Sequence, residues 1–329
     1  MFKSKIFSSW FVLALLTWGG LFATFDTISF LASHWYYPAV MVLGAFVAGL
    51  TPQGGGAVAF PALSVFLNVD RVLARDFSMM IQSIGMTSAS IFILTRKDTV
   101  VKNYKPLLAF IPVCFSGFVL GMVTLQTIPV YLIQALFLSL TATFVVAYYF
   151  SGHRGREDRL RETSPLESGW LWLILFAGGM VTSLFGTGAD ILLYTLLITH
   201  FGMKEKPATY ISIVLQAAVS ILGYGYRGAI DHGLSSYQIQ TWLCAYPVVL
   251  FMAPFGAYVL AKIQVKWLLI AIIALNAMQL LYFNVHNPAP AKTEASLAFC
   301  TVLSIVFYVL LRRMRARKTE DPQVGLTAS

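Results

Sequence analysis

The chain has 329 residues, of which 58% are hydrophobic and 11% charged, with a formal net charge of +9. Soluble domains carry about 25% charged residues, and here long uncharged runs recur from end to end. Composition therefore excludes a soluble enzyme or a nucleic-acid-binding domain and indicates an all-α polytopic membrane protein.

The positive charge follows the positive-inside pattern of short loops, ending in Arg312-Arg313-Met314-Arg315-Ala316-Arg317-Lys318. Cys114, Cys244 and Cys300 lie in separate apolar runs, so neither a disulfide framework nor a zinc site is signalled. No Walker, zinc or haem motif is present, and no cofactor or metal is expected.

In chain order, the first transmembrane helix is expected over residues 7–31. It is retained, because no small-residue cleavage site follows its apolar stretch. A broken segment follows, 37–50 and 57–67, interrupted by Thr51-Pro52-Gln53-Gly54-Gly55-Gly56. Three glycines and a proline do not continue a helix. After a polar loop at 68–75, further helices are expected to 94, over 106–125 and up to 150, with a basic loop at 96–105. Residues 152–168 hold four arginines and four acids and read as a linker between halves.

The second half repeats this order. Its broken segment, 169–201, is interrupted at Gly186-Thr187-Gly188-Ala189-Asp190. Helices are expected over 207–226, 237–262, 267–285 and 294–311, before a disordered tail. The implied units are 1–36, 37–151, 152–168, 169–285 and 286–329. Together they give about 8 full transmembrane helices plus two glycine-broken hairpins.

The halves align. At an offset of 134, Gly54 falls on Gly188, Leu63 on Leu197, Ala74 on Ala208, Ser78 on Ser212 and Gln82 on Gln216. At an offset of 135, Pro112 and Val113 fall on Pro247 and Val248, and Gly121 on Gly256. An internal duplication accounts for this. Loop charge then chooses a topology. If each broken segment returns to the side it entered from, Lys3, Lys5, loop 96–105, the linker, Lys204, Lys206, Lys262, Lys266 and the arginine tail all face inside. Each repeat then has three full crossings and the two are inverted. Arg71, Arg75 and Arg227 do not fit this scheme.

Paired glycine-broken segments point to a transporter's substrate site; the bland alternative is two ordinary loops. Returning helices beginning near Ala57 and Ile191 would aim free N–H groups at a small anion, without a lysine in the membrane. The candidate substrate-binding residues are Gly54, Gly55, Gly56, Ser78, Gln82, Gly186, Thr187, Gly188, Ser212 and Gln216. The serines and glutamines stand at i, i+4; the serines serve equally well as interhelical glue, whereas the glutamines read as ligands rather than glue, because they recur in both repeats and an amide is costly to bury without a purpose. Asp190 is either the N-cap of its helix or a proton-coupling group. Asn276 and Gln279 read as helix glue, His200 as interfacial, and Asp26 as a helix-end acid.

The run Gly54-Gly55-Gly56-Ala57-Val58-Ala59-Phe60-Pro61-Ala62-Leu63, the degraded second copy Phe185-Gly186-Thr187-Gly188-Ala189-Asp190, and Gly225-Tyr226-Arg227-Gly228-Ala229-Ile230-Asp231 resemble motifs of the sulfite exporter TauE/SafE family. The resemblance covers about residues 45–282. The second copy departs from the pattern at Asp190 and at Thr195, where the proline is missing. The resemblance implies secondary transport of sulfite, sulfate or an organosulfonate across the bacterial inner membrane, with both termini cytoplasmic. The partners expected are a small anion and the lipid bilayer, not nucleic acid. The rival readings are an intramembrane enzyme, with Ser183 or Ser212 as nucleophile and His200 as base, and a membrane assembly factor.

Overall fold

A computed structural model describes residues 4–25, 27–96, 107–151, 157–158, 165–263, 265–286 and 288–320. Asp26, the basic loop over 97–106, most of the charged linker and the tail beyond Glu320 lie outside the described residues. The described chain is helical: α1 (Lys5–Thr24), α2 (Thr27–Ser33), α3 (Tyr36–Leu50), α4 (Gly56–Pro61, widening into a π turn at Ala62–Phe66), α5 (Arg71–Thr95), α6 (Leu107–Thr124), α7 (Val130–Ser151), α8 (Pro165–Phe185), α9 (Ala189–Thr199), α10 (Glu205–Gly225, with a π turn at Tyr226–Ile230), α11 (Ser236–Lys262), α12 (Val265–Val285) and α13 (Pro290–Glu320).

Among the described residues, five helices are long and apolar enough to cross a membrane: α1, α5, α10 with its π turn, α11 and α13. The described parts of α6, α7 and α12 form shorter apolar helices. The expected first helix over 7–31 is corrected. It stops at Thr24, and residues 27–33 form the separate α2, which meets α3 at 83°. The last helix is also longer than expected, running from Pro290 to Glu320.

Both broken segments fold as hairpins. Tyr37 at the start of α3 packs on Phe77 near the start of α5. The other arm, α4, ends only a few residues before Arg71 opens α5. Both arms therefore reach the N-terminal end of α5. In the second half, Glu157 pairs with Met203 and Asp158 with Lys204, beside the exit of α9. The helices between them run antiparallel: Asp76 on α5 bonds Arg227 at the end of α10, and both Gln82 and Gln216 reach the Gly186 carbonyl. Along α7, Phe137 touches Phe60 and Phe185, and Phe144 touches Tyr194. Helices α4 and α9 thus leave the meeting point of the hairpins in opposite directions.

The entering arm of each hairpin packs on a helix of the other half at glycine contacts. In α3–α11, a Cβ on Gly49 would lie 1.8 Å from the Ala253 carbonyl oxygen, and one on Gly256 2.1 Å from that of Phe46. In α6–α8, a Cβ on Gly117 would lie 2.0 Å from the Phe176 oxygen, and one on Gly179 1.8 Å from that of Cys114. Only glycine allows backbones this close, the usual packing device between apolar helices in lipid.

Proline inside a membrane helix frees a carbonyl one turn back, which must find another donor. Two such carbonyls on α11 do. Pro247 frees Leu243, which accepts the Trp18 indole N–H at 2.8 Å. Pro254 frees Leu250, which accepts the Ser88 hydroxyl at 3.0 Å.

The three arginines that broke the loop-charge rule are buried; Arg75 and Arg227 are ion-paired and Arg71 is hydrogen-bonded to Gln126. Asp76 Oδ1 accepts from Arg75 Nε at 2.8 Å. Asp76 Oδ2 accepts from Arg227 Nη2 and Gln238 Nε2, both at 2.7 Å. Arg227 also pairs with Asp231. Arg75 and Arg71 both donate to Gln126 Oε1. This network ties α5, the end of α10, the start of α11 and the α6–α7 turn together. Its charges are internal, so they carry no weight as loop charge.

Asp76→Asn leaves two buried guanidinium groups facing a neutral amide. It is expected to cost about 3–5 kcal/mol of stability. Ser88→Ala removes one neutral hydrogen bond and should cost only about 1 kcal/mol. Thermal unfolding in detergent compares the two; equal shifts would contradict a dominant role for the ionic network.

Candidate functional site

The two glycine breaks meet inside the protein. Residues 51–56 of the first tip are buried, as are Gly186, Thr187, Gly188 and Asp190 of the second. Positive φ occurs where the chain reverses: +67° at Gly54, +77° at Gly186 and +133° at Gly188. Side chains rarely adopt these angles. A Cβ on Gly56 would lie 2.6 Å from Thr187 Cβ, so close approach also demands glycine there. Gly55 differs: its open side faces Ala48, Gly44 and Ile81 at ordinary contact distances, away from the second tip.

Helices α5 and α10 clasp the second tip. Gln82 Nε2 donates to the carbonyls of Gly186 at 2.8 Å and Ser78 at 2.9 Å. Gln216 Nε2 donates to the same Gly186 oxygen at 3.4 Å and to Ser220 Oγ at 3.1 Å. The carbonyl of an unwound tip cannot bond within a helix, and the two amides supply its partners. Ser78 donates instead to Ala74 of its own helix at 2.7 Å. Ser212 is buried with its hydroxyl unpartnered.

The second returning helix does not present bare N–H groups. Its N-cap is Gly188, not Asp190, which lies two residues on, inside the first turn. Asp190 Oδ1 accepts from the N–H groups of Gly188 at 3.1 Å and Ile191 at 3.0 Å, and from the Thr187 hydroxyl at 3.4 Å. Thr182 Oγ1 accepts the Ala189 N–H at 3.1 Å. At the first tip, no acceptor among the described residues takes the N–H of Gly54, Gly55 or Gly56.

Two side chains of α12 complete the enclosure. Asn276 Nδ2 donates to Gln53 Oε1 at 3.2 Å, and Gln279 Nε2 to the Ala57 carbonyl at 3.3 Å. They bond a neighbouring segment, as glue does, but that segment is the first tip. Gln53 and Thr182 were not singled out from the sequence. Gln53 sits within the first glycine motif, a usable signal; Thr182 lies in an apolar helix without one.

Buried polar atoms without a partner include Gln53 Nε2 and Asp190 Oδ2 at the tips and Ser212 Oγ, Gln216 Oε1, Asn276 Oδ1 and Gln279 Oε1 on the helices that hold them. Such groups are rare in native interiors, and their concentration around two meeting tips suits a ligand. Among the described residues, no three His, Cys, Asp or Glu side chains are placed to hold a metal ion. Ser183, a candidate nucleophile, donates to the Met180 carbonyl at 2.6 Å, while His200 follows the far end of α9.

A family model described as Sulfite exporter TauE/SafE matches residues 37–283. This span includes both hairpins, α5, α10 and nearly all of α12. No curated protein and no solved structure matches the chain.

The contrast between neighbouring glycines is testable. Gly54→Ala forces a side chain into left-handed backbone against the second tip and should cost about 2–4 kcal/mol. Gly55→Ala, at φ −67° with room for a methyl group, should change stability by less than about 1 kcal/mol. Thermal unfolding of the two variants checks this ordering.

Proposed function

The chain belongs to the sulfite exporter TauE/SafE family, and from that premise we propose a secondary transporter that carries a small sulfur-containing anion across the bacterial inner membrane. Sulfite, sulfate and organosulfonates share the chemistry required, a compact oxyanion head. The observation that carries this reading is the meeting of two glycine-broken hairpins around buried polar atoms without partners. Discontinuous helices that meet at the midplane between two repeats are how many secondary transporters hold substrate.

The antiparallel run of α5 and α10, and the opposite exits of α4 and α9, support two inverted repeats over 37–151 and 169–285. The first tip is the donor side of the site in this reading. Gln53 Nε2 and the N–H groups of Gly54, Gly55 and Gly56 face an oxyanion without a basic side chain, which avoids burying a further charge in lipid. Asp190 is assigned to coupling, because it is the acid at the tips and opposes the neutral Gly56 of the other half. The Asp76 network closes one end of the α5–α10 pair, and access from that end requires it to part. Both termini lie on the cytoplasmic side in this topology.

Ser212→Ala tests the site without disturbing the fold, since the hydroxyl it deletes has no partner. Anion affinity should fall by about 1–3 kcal/mol, the worth of a hydrogen bond to a charged group, with thermal stability unchanged. Flux of labelled sulfite, sulfate and taurine-like sulfonates into proteoliposomes reads transport directly. A protein that moves none of them would sink the reading.

A further inference from the structure

The ion network at the start of α5 lies directly against the second tip. A Cβ on Gly186 would collide with the Arg75 carbonyl oxygen, so the tip rests on the turn of α5 that carries Arg75 and Asp76. Gln126 joins the two from another side. Its Oε1 accepts from Arg75 Nη1 at 2.6 Å, and its Nε2 donates to the Ser183 carbonyl at 3.3 Å, just before the tip. Asp76 is fully buried. It takes donors from Arg75 of its own helix, Arg227 at the end of α10 and Gln238 at the start of α11. The network therefore stands between the tips and the end of the molecule opposite the Lys204–Asp158 pair.

The duplication supplies a control for what this network does. At the offset of 134 that matches the halves, Arg75 falls on Thr209, Asp76 on Tyr210 and Arg227 on Ile93. At the offset of 135, Gln126 falls on Ala261. None of these counterparts is charged, so the equivalent crossing of α5 and α10 at their other end forms without such a network. One bond is common to both ends: Arg71 donates to the Gln126 carbonyl at 3.2 Å, and Lys206 to that of Ala261 at 3.1 Å. Stability is no reason for the added ions, since a buried ion pair is often no better than apolar residues of like volume. The backbone is shaped for them as well. Helix α10 widens into the π turn that carries Arg227, whereas α5 stays α-helical to Thr95. Single π turns in α-helices frequently mark functional positions.

Transporters built from inverted repeats alternate between two states that open opposite ends. A contact present at one end alone makes those states unequal, because only one of them must break it. We propose that Asp76, Arg75, Arg227 and Gln238 form a one-sided latch, which keeps the empty protein closed at this end and parts once in each transport cycle. In the topology above, this end is the outer face. The role in transport rests on the transporter reading; the latch as a barrier to the tips does not.

The experiment uses the full chain with Cys114, Cys244 and Cys300 exchanged for alanine and with Ser212→Cys as a buried reporter, one turn from Gln216. A membrane-impermeant maleimide is added to spheroplasts, which expose the outer face, and to inverted vesicles, which expose the inner one, both without anion substrate. Arg227→Lys keeps the charge and loses the guanidinium fork. Gln238→Met keeps both ion pairs of Asp76 and removes one donor. Each should speed labelling in spheroplasts at least about tenfold, the population shift expected from losing one hydrogen bond to a charged group, and should not speed it in inverted vesicles. Ser88→Ala deletes a bond between α5 and α11 away from the latch and should change neither rate. Thermal unfolding identifies the folded variants, and the milder Gln238→Met carries the test if Arg227→Lys does not fold. Unchanged labelling in the folded variants overturns the latch. So does equal acceleration from both faces, or acceleration in Ser88→Ala, since either means general loosening. Acceleration confined to inverted vesicles upholds the latch and reverses the topology. Acceleration from one face, in a protein that moves no sulfite, sulfate or sulfonate in proteoliposomes, upholds the latch and overturns the transporter reading.

Discussion

The carbonyl of Gly186 is the acceptor on which the centre of this protein depends. It belongs to backbone that has left one helix and not yet begun the next, at +77° in φ. In water such a group would be solvated. Inside a membrane it must be satisfied by protein, and the amides of Gln82 and Gln216 converge on it from opposite halves. That one oxygen fixes how α5 and α10 stand relative to the second hairpin. It also turns the Gln82 oxygen toward the Thr187 hydroxyl, close against Gly54. The amides are glue and lining at once, because an amide that donates at one end must present an oxygen at the other.

The same constraint shapes the rest of the chain. Pro247 and Pro254 free two carbonyls of α11, and each recruits a donor from a distant helix, Trp18 from α1 and Ser88 from α5. These bonds tie α11 into the bundle at two levels. The glycine contacts of α3 with α11 and of α6 with α8 work beside them, since backbones that touch exclude lipid where a hydrophobic drive is absent. Because each contact joins a hairpin arm of one half to a helix of the other, neither half can move as an isolated block.

Much of this was legible before the structure. The glycine breaks, the matched Gln82 and Gln216 and the duplicated Gly121 and Gly256 stood out, because rare residue types recurred at one offset. The match between Gly121 and Gly256 has a contact to explain it, since both glycines lie against the entering arm of a hairpin. What stayed hidden was relational. Arg71, Arg75 and Arg227 looked like loop charges against the topology; Asp76 beside Arg75 is visible in the sequence, but that Arg227 reaches Asp76 and that Arg71 and Arg75 reach Gln126 only the fold shows. Asn276 and Gln279 were legible as helix glue, but nothing local shows that they hold the first tip. The break after Thr24 was obscured by continuous hydrophobicity, which marks membrane depth but not helix direction. Gly55 could not be told from Gly54 and Gly56, because the face a glycine turns to its neighbours depends on the φ of the turn.

Asp190 shows how a duplicated frame acquires polarity. Its counterpart Gly56 leaves the first tip as bare backbone with N–H groups open. In the second tip the aspartate folds back over its own helix start, occupies the N–H groups of Gly188 and Ile191, and leaves one oxygen facing outward. One half thus keeps bare backbone where the other carries a carboxylate, and the two meet so closely at Gly54 that only glycine fits against Asp190, Gln82 and Thr187. A symmetric pair of glycine tips would attract an anion and leave its charge uncompensated in a low-dielectric interior. A tip that carries its own carboxylate repels an anion as long as that carboxylate is charged. The substitution of an acid for a glycine at one of two equivalent positions therefore makes anion binding depend on whatever neutralises Asp190, which is the physical requirement for coupling.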